Sequence, residues 1–517
     1  MNTLNPHIFR EYDIRGIAGQ DLTTSLVFNL GRIFASRLRE ELGIKTPPRV
    51  AVGRDGRLSS PQLAEQLALG LARGGAMVDD VGLVPSPGLY FAMHHFKADA
   101  GIMITGSHNP PDYNGMKMVK TSRPVYGSQI QDLKEALMAE RFQDHPGGSV
   151  RQANILEPYL QRLVQDFKPG RRVKVVLDCG NGASGVIAPQ LLRHLPGIEG
   201  EVILAEVDGR FPNHHPDPTL PENLHHLRRR MEETGAELGI AYDGDGDRIG
   251  ALDHQGRIIW GDRMMILFAR QILARQPGAT IIGDAKCSQV MFDAVARAGG
   301  KPLMWKTGHS LIKTKMKETG APLAGEMSGH LFFADRYLGF DDALYATVRL
   351  IEIVAESSET LAQRLSDLPE VHATPELRID CPDAKKFQVM ERILRGEREK
   401  KSDFSDIDGV RVRCPGGWWL LRVSNTQPAL GESLVITGLV VARLTVSTTR
   451  AAILGSEPNA APPSLTLGQE MLISMPSMGL SSKMRATSPY SSTVDPAMLA
   501  KKRVGKWRMA GRIVCTT

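Results

Sequence analysis

The chain has 517 residues, 42% apolar and 23% charged, which is the balance of a globular protein too long to fold around one ordinary core. At roughly 150 residues per domain, three or four domains are expected. The net charge of +6 is unevenly placed: of 63 Lys and Arg and 57 Asp and Glu, nine and three lie at 450–517, leaving 54 of each sign before them. The basic surplus therefore belongs to the tail, and it marks no nucleic-acid surface on the body.

The N-terminal stretch, MNTLNPHIFREYDIRG, has no basic-then-apolar targeting pattern. No run reaches the roughly 18 apolar residues of a membrane helix. The nearest, 433–446, is short and carries Arg443. Five cysteines (179, 287, 381, 414 and 515) form no C-x-x-C pair, which argues against a zinc site or a disulfide scaffold and fits a reduced cytoplasm.

Along the chain, three segments repeat one pattern. Strand candidates at 49–52, 173–177 and 280–282 each run into a glycine-bearing turn (GRDG, DCGNG, GDAKCSQ) and then a helical stretch. Another strand candidate follows about 20–30 residues on, the spacing of a βαβ unit. Each copy also holds an apolar strand with a polar loop at its carboxyl end: GIMIT then GSHNP, LGIAY then DGDGDR, APLA then GEMSGH. The expected fold is α/β: three tandem related domains with mixed, mostly parallel sheets (1–150, 151–253, 254–368), plus a smaller α+β domain at 369–449. Equivalent loops in repeated domains can then face one central cleft. In the fourth domain, RVRCPGGWWLLRV reads as a hairpin, and its second strand runs into Arg422-Val423-Ser424-Asn425-Thr426. Residues 450–517, rich in Ser, Pro, Ala and Met and basic at the end, read as a poorly ordered tail.

The loops carry the chemistry. Ser107 lies between Gly106 and His108 after a buried-type strand, where a sheet presents a reactive group at its carboxyl edge. Asp243, Asp245 and Asp247 are separated by glycines. Three like charges that close are costly without a cation, and hard oxygen ligands suit magnesium or calcium. An EF-hand fails because its sixth and twelfth places hold Arg248 and His254. Arg248, directly after the carboxylates, suggests an anionic group beside the metal. Glu326, Ser328 and His330 offer a carboxylate, a hydroxyl and an imidazole for vicinal sugar hydroxyls. Arg422, Ser424, Asn425 and Thr426 offer donors to a phosphate dianion. Lys117, Lys286 and His309 add positive charge or proton-transfer capacity. A nucleophilic hydroxyl, a divalent metal, a sugar-binding set and a phosphate clamp together describe phosphoryl transfer on a phosphosugar. Two patterns compete. Gly180 to Gly185 matches G-x-G-x-x-G after a strand and opens a nicotinamide-dependent alternative. The His94-His95, His214-His215 and His225-His226 pairs lack metal-ligand spacing and read as ordinary loop or helix-surface residues.

FREYDIRG, TGSHNPPDYNGMK, DGDGDR, GEMSGH and RVSNTQP resemble, in order, the signature loops of the α-D-phosphohexomutases, in the bacterial phosphomannomutase/phosphoglucomutase version, over roughly residues 6–430. The resemblance implies an enzyme interconverting hexose 6-phosphate and hexose 1-phosphate of mannose, glucose or both. It implies a phosphoserine at Ser107, and magnesium on Asp243, Asp245, Asp247 and a phosphoryl oxygen of Ser107. It further implies a hexose 1,6-bisphosphate that is both intermediate and activator. Tyr12, Arg15, Lys117, Arg248, Lys286 and His309 would surround the reacting groups. Glu326, Ser328 and His330 would bind the sugar, and Arg422, Ser424, Asn425 and Thr426 the distal phosphate. GEMSGH is closer to the mannose/glucose enzymes than to the glucosamine branch. A cytoplasmic monomer or weak dimer is expected, with a small phosphosugar as partner and neither nucleic acid nor membrane.

After Leu430 the text departs from the family's strand-then-helix ending. A reading-frame shift near codon 430 is one account, and a divergent strand in SLVITGLVV is the other. An inactive sugar-phosphate-binding remnant is the corresponding alternative function.

Overall fold

The computed structural model describes residues 4–121, 123–374, 377–414, 417–423, 429–437, 443–447 and 512–516. Two compact units result, Met1–Pro369 and Glu370–Thr517. The first contains three sheets.

The first sheet contains β1 (Ile14–Ile17), β2 (Arg49–Arg54), β3 (Met77–Leu83), β4 (Ala100–Ile104), β5 (Tyr113–Lys120), β6 (Arg123–Pro124) and β7 (Ser149–Gln152), in the order β1-β5-β4-β2-β3-β7 with β6 on β5. The second holds β8 (Val173–Asp178), β9 (Ile198–Ile203), β10 (Leu238–Tyr242), β11 (Ile249–Asp253) and β12 (Ile258–Ile259), in the order β12-β11-β10-β8-β9. The third holds β13 (Thr280–Asp284), β14 (Lys301–Trp305), β15 (Leu323–Gly325) and β16 (Leu331–Phe333), in the order β14-β13-β15-β16.

The repeat expected from the sequence is present in all three. β2, β8 and β13 each pair parallel with β4, β10 and β15 on one side and with β3, β9 and β14 on the other. β4, β10 and β15 then pair antiparallel with β5, β11 and β16. Ser107, the aspartates and Glu326 to His330 therefore sit in hairpin connections, not in strand-to-helix crossovers. Every residue of β4 and of β10 is buried, as continuous apolar runs in central strands should be.

Helix ends place further site residues. Gly308, with φ +134°, stands directly before the helix His309–Thr319, so His309 opens its first turn, and Gly320 ends it in a left-handed conformation. Asp342 caps the buried helix Ala343–Ala355, accepting from Tyr345 N at 2.9 Å.

The second unit holds β17 (Val371–Ala373), β18 (Leu377–Asp380), β19 (Phe404–Ser405), β20 (Val410–Cys414), β21 (Gly417–Val423) and β22 (Ala429–Thr437). β20 and β21 form the expected antiparallel hairpin, and helix Asp383–Glu399 packs on the sheet through Met390 against Val410, Val412 and Leu421. Leu430 falls inside β22, which pairs with β21 on one edge and with β17 and β18 on the other. The strand reading of SLVITGLVV thus holds as far as Thr437. Most of the expected tail lies outside the described residues; within it, Arg512–Thr516 pairs antiparallel with Arg443–Ser447. Among the described residues, no helix is long and apolar enough to cross a membrane.

Candidate active site

Ser107 is buried and adopts φ +48°, a left-handed conformation unusual for a residue with a side chain. The surrounding polar contacts hold it there. Its N–H donates to Thr105 Oγ1 at 2.8 Å, and its carbonyl accepts from Arg57 Nη2 at 2.7 Å. Arg57, itself fully buried, also donates to the carbonyls of Asn109, Pro110 and Tyr113. Asp55 sits behind it, accepting from Arg57 Nε and from Gly106 N at 3.0 Å. Arg15 reaches the same loop from β1, donating to Gly106 O at 3.1 Å and Asn109 Oδ1 at 2.8 Å.

The Ser107 hydroxyl donates to Asp243 Oδ2 at 2.9 Å and lies 3.2 Å from His108 Nδ1. Asp243, Asp245 and Asp247 are all fully buried, and each offers an oxygen within 4.8 Å of the others. Lys117 from β5 donates to Asp245 Oδ2 at 2.7 Å and Asp247 Oδ2 at 2.5 Å, and Ser86 adds a bond to Asp245. Burial alone would raise Asp245, but the Lys117 ammonium overrides it and holds the carboxyl low. At Asp243, burial and then the charges of Asp247 and Asp245 outweigh the pull of Arg248 and Lys117 and push the carboxyl well up. One ammonium for three carboxylates leaves the loop short of positive charge. Asp245 Oδ1 and Asp247 Oδ1 are buried without a hydrogen-bond partner. Hard oxygens, a charge deficit and unpartnered acceptors together fit a divalent cation of the magnesium type.

The third hairpin loop joins the second directly. Arg248 and His330 form a β-bridge, Ile249 N donates to Gly329 O at 3.1 Å, and Arg248 Nε donates to His330 Nε2 at 2.9 Å. His330 Nδ1 faces Asp341 Oδ2 at 3.1 Å, and Lys313 donates to the other oxygen of Asp341 at 2.9 Å. The ring of His309 stacks on that of His330 at 5.4 Å. Burial, then the Lys313 ammonium, push His309 well below the ordinary imidazole range and keep it neutral. Glu326 accepts from Gly308 N at 2.7 Å and from Ser328 Oγ at 3.0 Å, and burial raises its carboxyl. The Tyr12 hydroxyl lies 3.5 Å from the Thr307 carbonyl, closing the ring from the first domain.

The first unit thus brings together Tyr12, Arg15, Ser107, Lys117, the three aspartates, Arg248, His309, Glu326, Ser328 and His330. Lys286 is half-buried just after β13. In the second unit, Arg422 is paired with Asp408 at 2.9 Å. Ser424, Asn425 and Thr426 lie outside the described residues. Sequence reasoning missed Asp55, Arg57, Asp284 and Asp341. Asp284 ends β13 and ties the third loop down, accepting from Met327 N at 3.1 Å and Thr307 Oγ1 at 2.9 Å. The glycines of the dinucleotide-like pattern have another use: a Cβ on Gly182 would lie 2.9 Å from Gly244 O, and one on Gly185 would collide with Ala205 O. The N–H groups of Asn181 and Ala183 already donate to Leu204 O and Gly244 O, so they form no free phosphate cradle. His214 is a half-buried loop residue paired with Asp178 at 3.0 Å.

Family models described as phosphoglucomutase/phosphomannomutase α/β/α domains I, II and III match residues 6–144, 157–256 and 260–372. Over 428 residues the chain is 47% identical to a phosphomannomutase/phosphoglucomutase of Pseudomonas aeruginosa, covering 83% of this chain and 91% of that one. It is 44% identical to a phosphoglucomutase of Neisseria gonorrhoeae over 433 residues, 83% and 93% of the two chains. A crystal structure of a family protein from Burkholderia thailandensis superposes with a TM-score of 0.79 at 43% identity, covering 84% of this chain and 94% of that one. Three tandem domain matches in family order, on a chain whose hairpin loops carry the serine, the aspartates and GEMSGH, place it in the phosphoglucomutase/phosphomannomutase family, the α-D-phosphohexomutases.

Proposed function

We propose that the chain interconverts hexose 6-phosphate and hexose 1-phosphate, of mannose, glucose or both, by carrying the phosphoryl group on Ser107. The observation that carries this reading is the Ser107 hydroxyl held 2.9 Å from Asp243, beside two more buried carboxylates and the Lys117 ammonium. The relatives named phosphomannomutase/phosphoglucomutase and phosphoglucomutase support the substrate class.

In the first half-reaction the free hydroxyl of the sugar attacks the phosphorus on Ser107. The bond from phosphorus to Oγ breaks as the new P–O bond forms, giving a hexose 1,6-bisphosphate. The bisphosphate turns round, Ser107 Oγ attacks its other phosphate, and the remaining monophosphate departs. His309, held neutral by burial, is the proposed acceptor of the hydroxyl proton. Lys117 is suited to stabilise the serine oxygen as it leaves: burial opposes its charge, but Asp245 and Asp247 keep the ammonium protonated. Asp243, Asp245 and Asp247 would hold a divalent cation, magnesium by donor chemistry, which would supply charge neutralisation to the phosphoryl group. Arg15 and Arg248 are proposed to steady the phosphoryl group, and Glu326, Ser328 and His330 the sugar hydroxyls. The family resemblance supports Tyr12 and Lys286 near the reacting groups, and Arg422, Ser424, Asn425 and Thr426 as phosphate ligands. It also supports the bisphosphate as activator. The proposed divisions at 150 and 253 fall a few residues early: the first sheet runs on through β7 (Ser149–Gln152) and the second through β12 (Ile258–Ile259), while the third sheet lies within 254–368.

Mass spectrometry of the purified chain is expected to find phosphate on Ser107. Ser107→Ala should lower turnover by roughly a thousandfold or more, even with bisphosphate supplied. Wild-type turnover in that variant would sink the phosphoserine route.

A further inference from the structure

A buried chain of polar side chains runs from the helix His309–Thr319 to the metal loop, and the direction of each hydrogen bond in it is set by chemistry. Lys313 can only donate, and it gives its proton to Asp341 Oδ1 at 2.9 Å. Arg248 can only donate, and its Nε points at His330 Nε2 at 2.9 Å. His330 Nε2 must therefore be the accepting nitrogen, which puts the proton of a neutral ring on Nδ1. That nitrogen lies 3.1 Å from Asp341 Oδ2, nearer than Asp247 Oδ1 at 3.6 Å. Neither His330 Nδ1 nor Asp341 Oδ2 is claimed by a hydrogen bond elsewhere, and the contact between them departs from ideal hydrogen-bond geometry. Asp341 is fully buried and His330 is 3% exposed, so water cannot substitute for either contact. His309 Nδ1, at 3.8 Å from the same oxygen, lies beyond hydrogen-bond reach.

We infer that Asp341 is a positioning residue: by holding His330 as the Nδ1–H tautomer, it keeps Nε2 free to accept from Arg248 and so fixes that guanidinium beside the reacting groups. The assignment of Arg248 to the reaction rests on the function proposed above; the tautomer does not. Asp341 makes no hydrogen bond to Ser107 or to the three aspartates, although its carboxylate lies within 4.8 Å of Asp247, and its role is exerted through His330. Lys313 sets the polarity of the whole chain, because it claims one oxygen of Asp341 and leaves the other for the imidazole.

This polarity makes a directional prediction for Asp341→Asn. Lys313 still needs an acceptor, so the amide oxygen stays on Lys313 and the amide NH2 turns toward His330 Nδ1. Nδ1 must then accept, the proton moves to Nε2, and Nε2–H meets Arg248 Nε–H donor to donor. Removing the lysine as well frees the amide to rotate its oxygen back to His330. Lys313→Met/Asp341→Asn should therefore recover activity that Asp341→Asn alone has lost.

The test is nitrogen-15 spectroscopy of the full chain with labelled histidine, the His330 signals being assigned by their loss in His330→Asn, alongside steady-state kinetics. The expected result is an Nδ1–H tautomer in the unsubstituted chain and an Nε2–H tautomer in Asp341→Asn. With it should come a fall in kcat of roughly 10- to 100-fold and at least a partial return of both in the double variant. An Nε2–H tautomer in the unsubstituted chain overturns the inference whatever the variants do. A double variant no more active than Asp341→Asn also overturns it, since a merely structural loss would not be repaired by a second buried change. Should the tautomers behave as expected while the chain turns over no phosphosugar, the proposed function fails and the positioning role of Asp341 stands.

Discussion

The residue on which the serine loop most depends is one that makes no chemistry of its own. Arg57 donates to four backbone carbonyls between Ser107 and Tyr113, and Asp55 fixes its other edge. A planar five-donor fork can serve that many acceptors, whereas an ammonium at the end of a flexible stem cannot. Arg57→Lys should therefore keep the charge, lower kcat and leave the Michaelis constant nearly unchanged, since the loop loses its shape and the sugar contacts do not. Arg57→Ala leaves Asp55 buried without its cation and should destabilise the first unit by about 3–5 kcal/mol, read by denaturant unfolding. A Michaelis constant that rose while kcat held would instead place Arg57 in substrate binding. Ser107 and the three aspartates were legible because their spacing in the chain is itself the chemical unit. Arg57 and Asp341 were not, because each acquires its role only through contacts made about 50 or 11 residues away.

At the level of elements, the strands read well because central strands buried on both faces are uninterrupted apolar runs. What the one-dimensional pattern could not show is that each functional loop turns straight back into an antiparallel partner, since strand direction leaves no mark on composition. That reversal explains the glycines. In the aspartate loop, a Cβ on Gly244 would run into the Ser107 carbonyl, and that carbonyl is pinned by Arg57. Two hairpin loops from different sheets thus touch backbone to backbone, which brings the serine hydroxyl within hydrogen-bond reach of Asp243. Gly244→Ala should push the loops apart at a cost of about 1–3 kcal/mol. The expected phenotype is a large loss of kcat with the far-ultraviolet circular dichroism spectrum retained. Full activity in that variant would mean that the loops can separate without consequence for transfer.

For the molecule as a whole, the order of the motifs and the facing of equivalent loops on one cleft were legible from the repeat. The side-chain contacts that join the three hairpin loops were not, because they span 82 to 136 residues. Two compact units also mean that thermal unfolding need not be a single transition. The aspartate loop makes the first unit's stability depend on a cation. Three fully buried carboxylates share one ammonium, and Asp243 is pushed well up as a result. Any cation that binds the folded loop and not the unfolded chain stabilises the fold by mass action, about 2.7 kcal/mol at a hundredfold excess over its dissociation constant. Magnesium added to chelator-treated full chain should therefore raise the melting temperature of the Met1–Pro369 transition in a calorimetric scan. The transition of Glu370–Thr517 serves as the internal control and should not move. Asp245→Asn removes one ligand charge and the main partner of Lys117 together, so it should shrink the magnesium-dependent shift well below that of the unsubstituted chain. Because the readout is stability and not turnover, a shift of equal size in Asp245→Asn would place the cation somewhere other than this loop, whatever the activity of the variant.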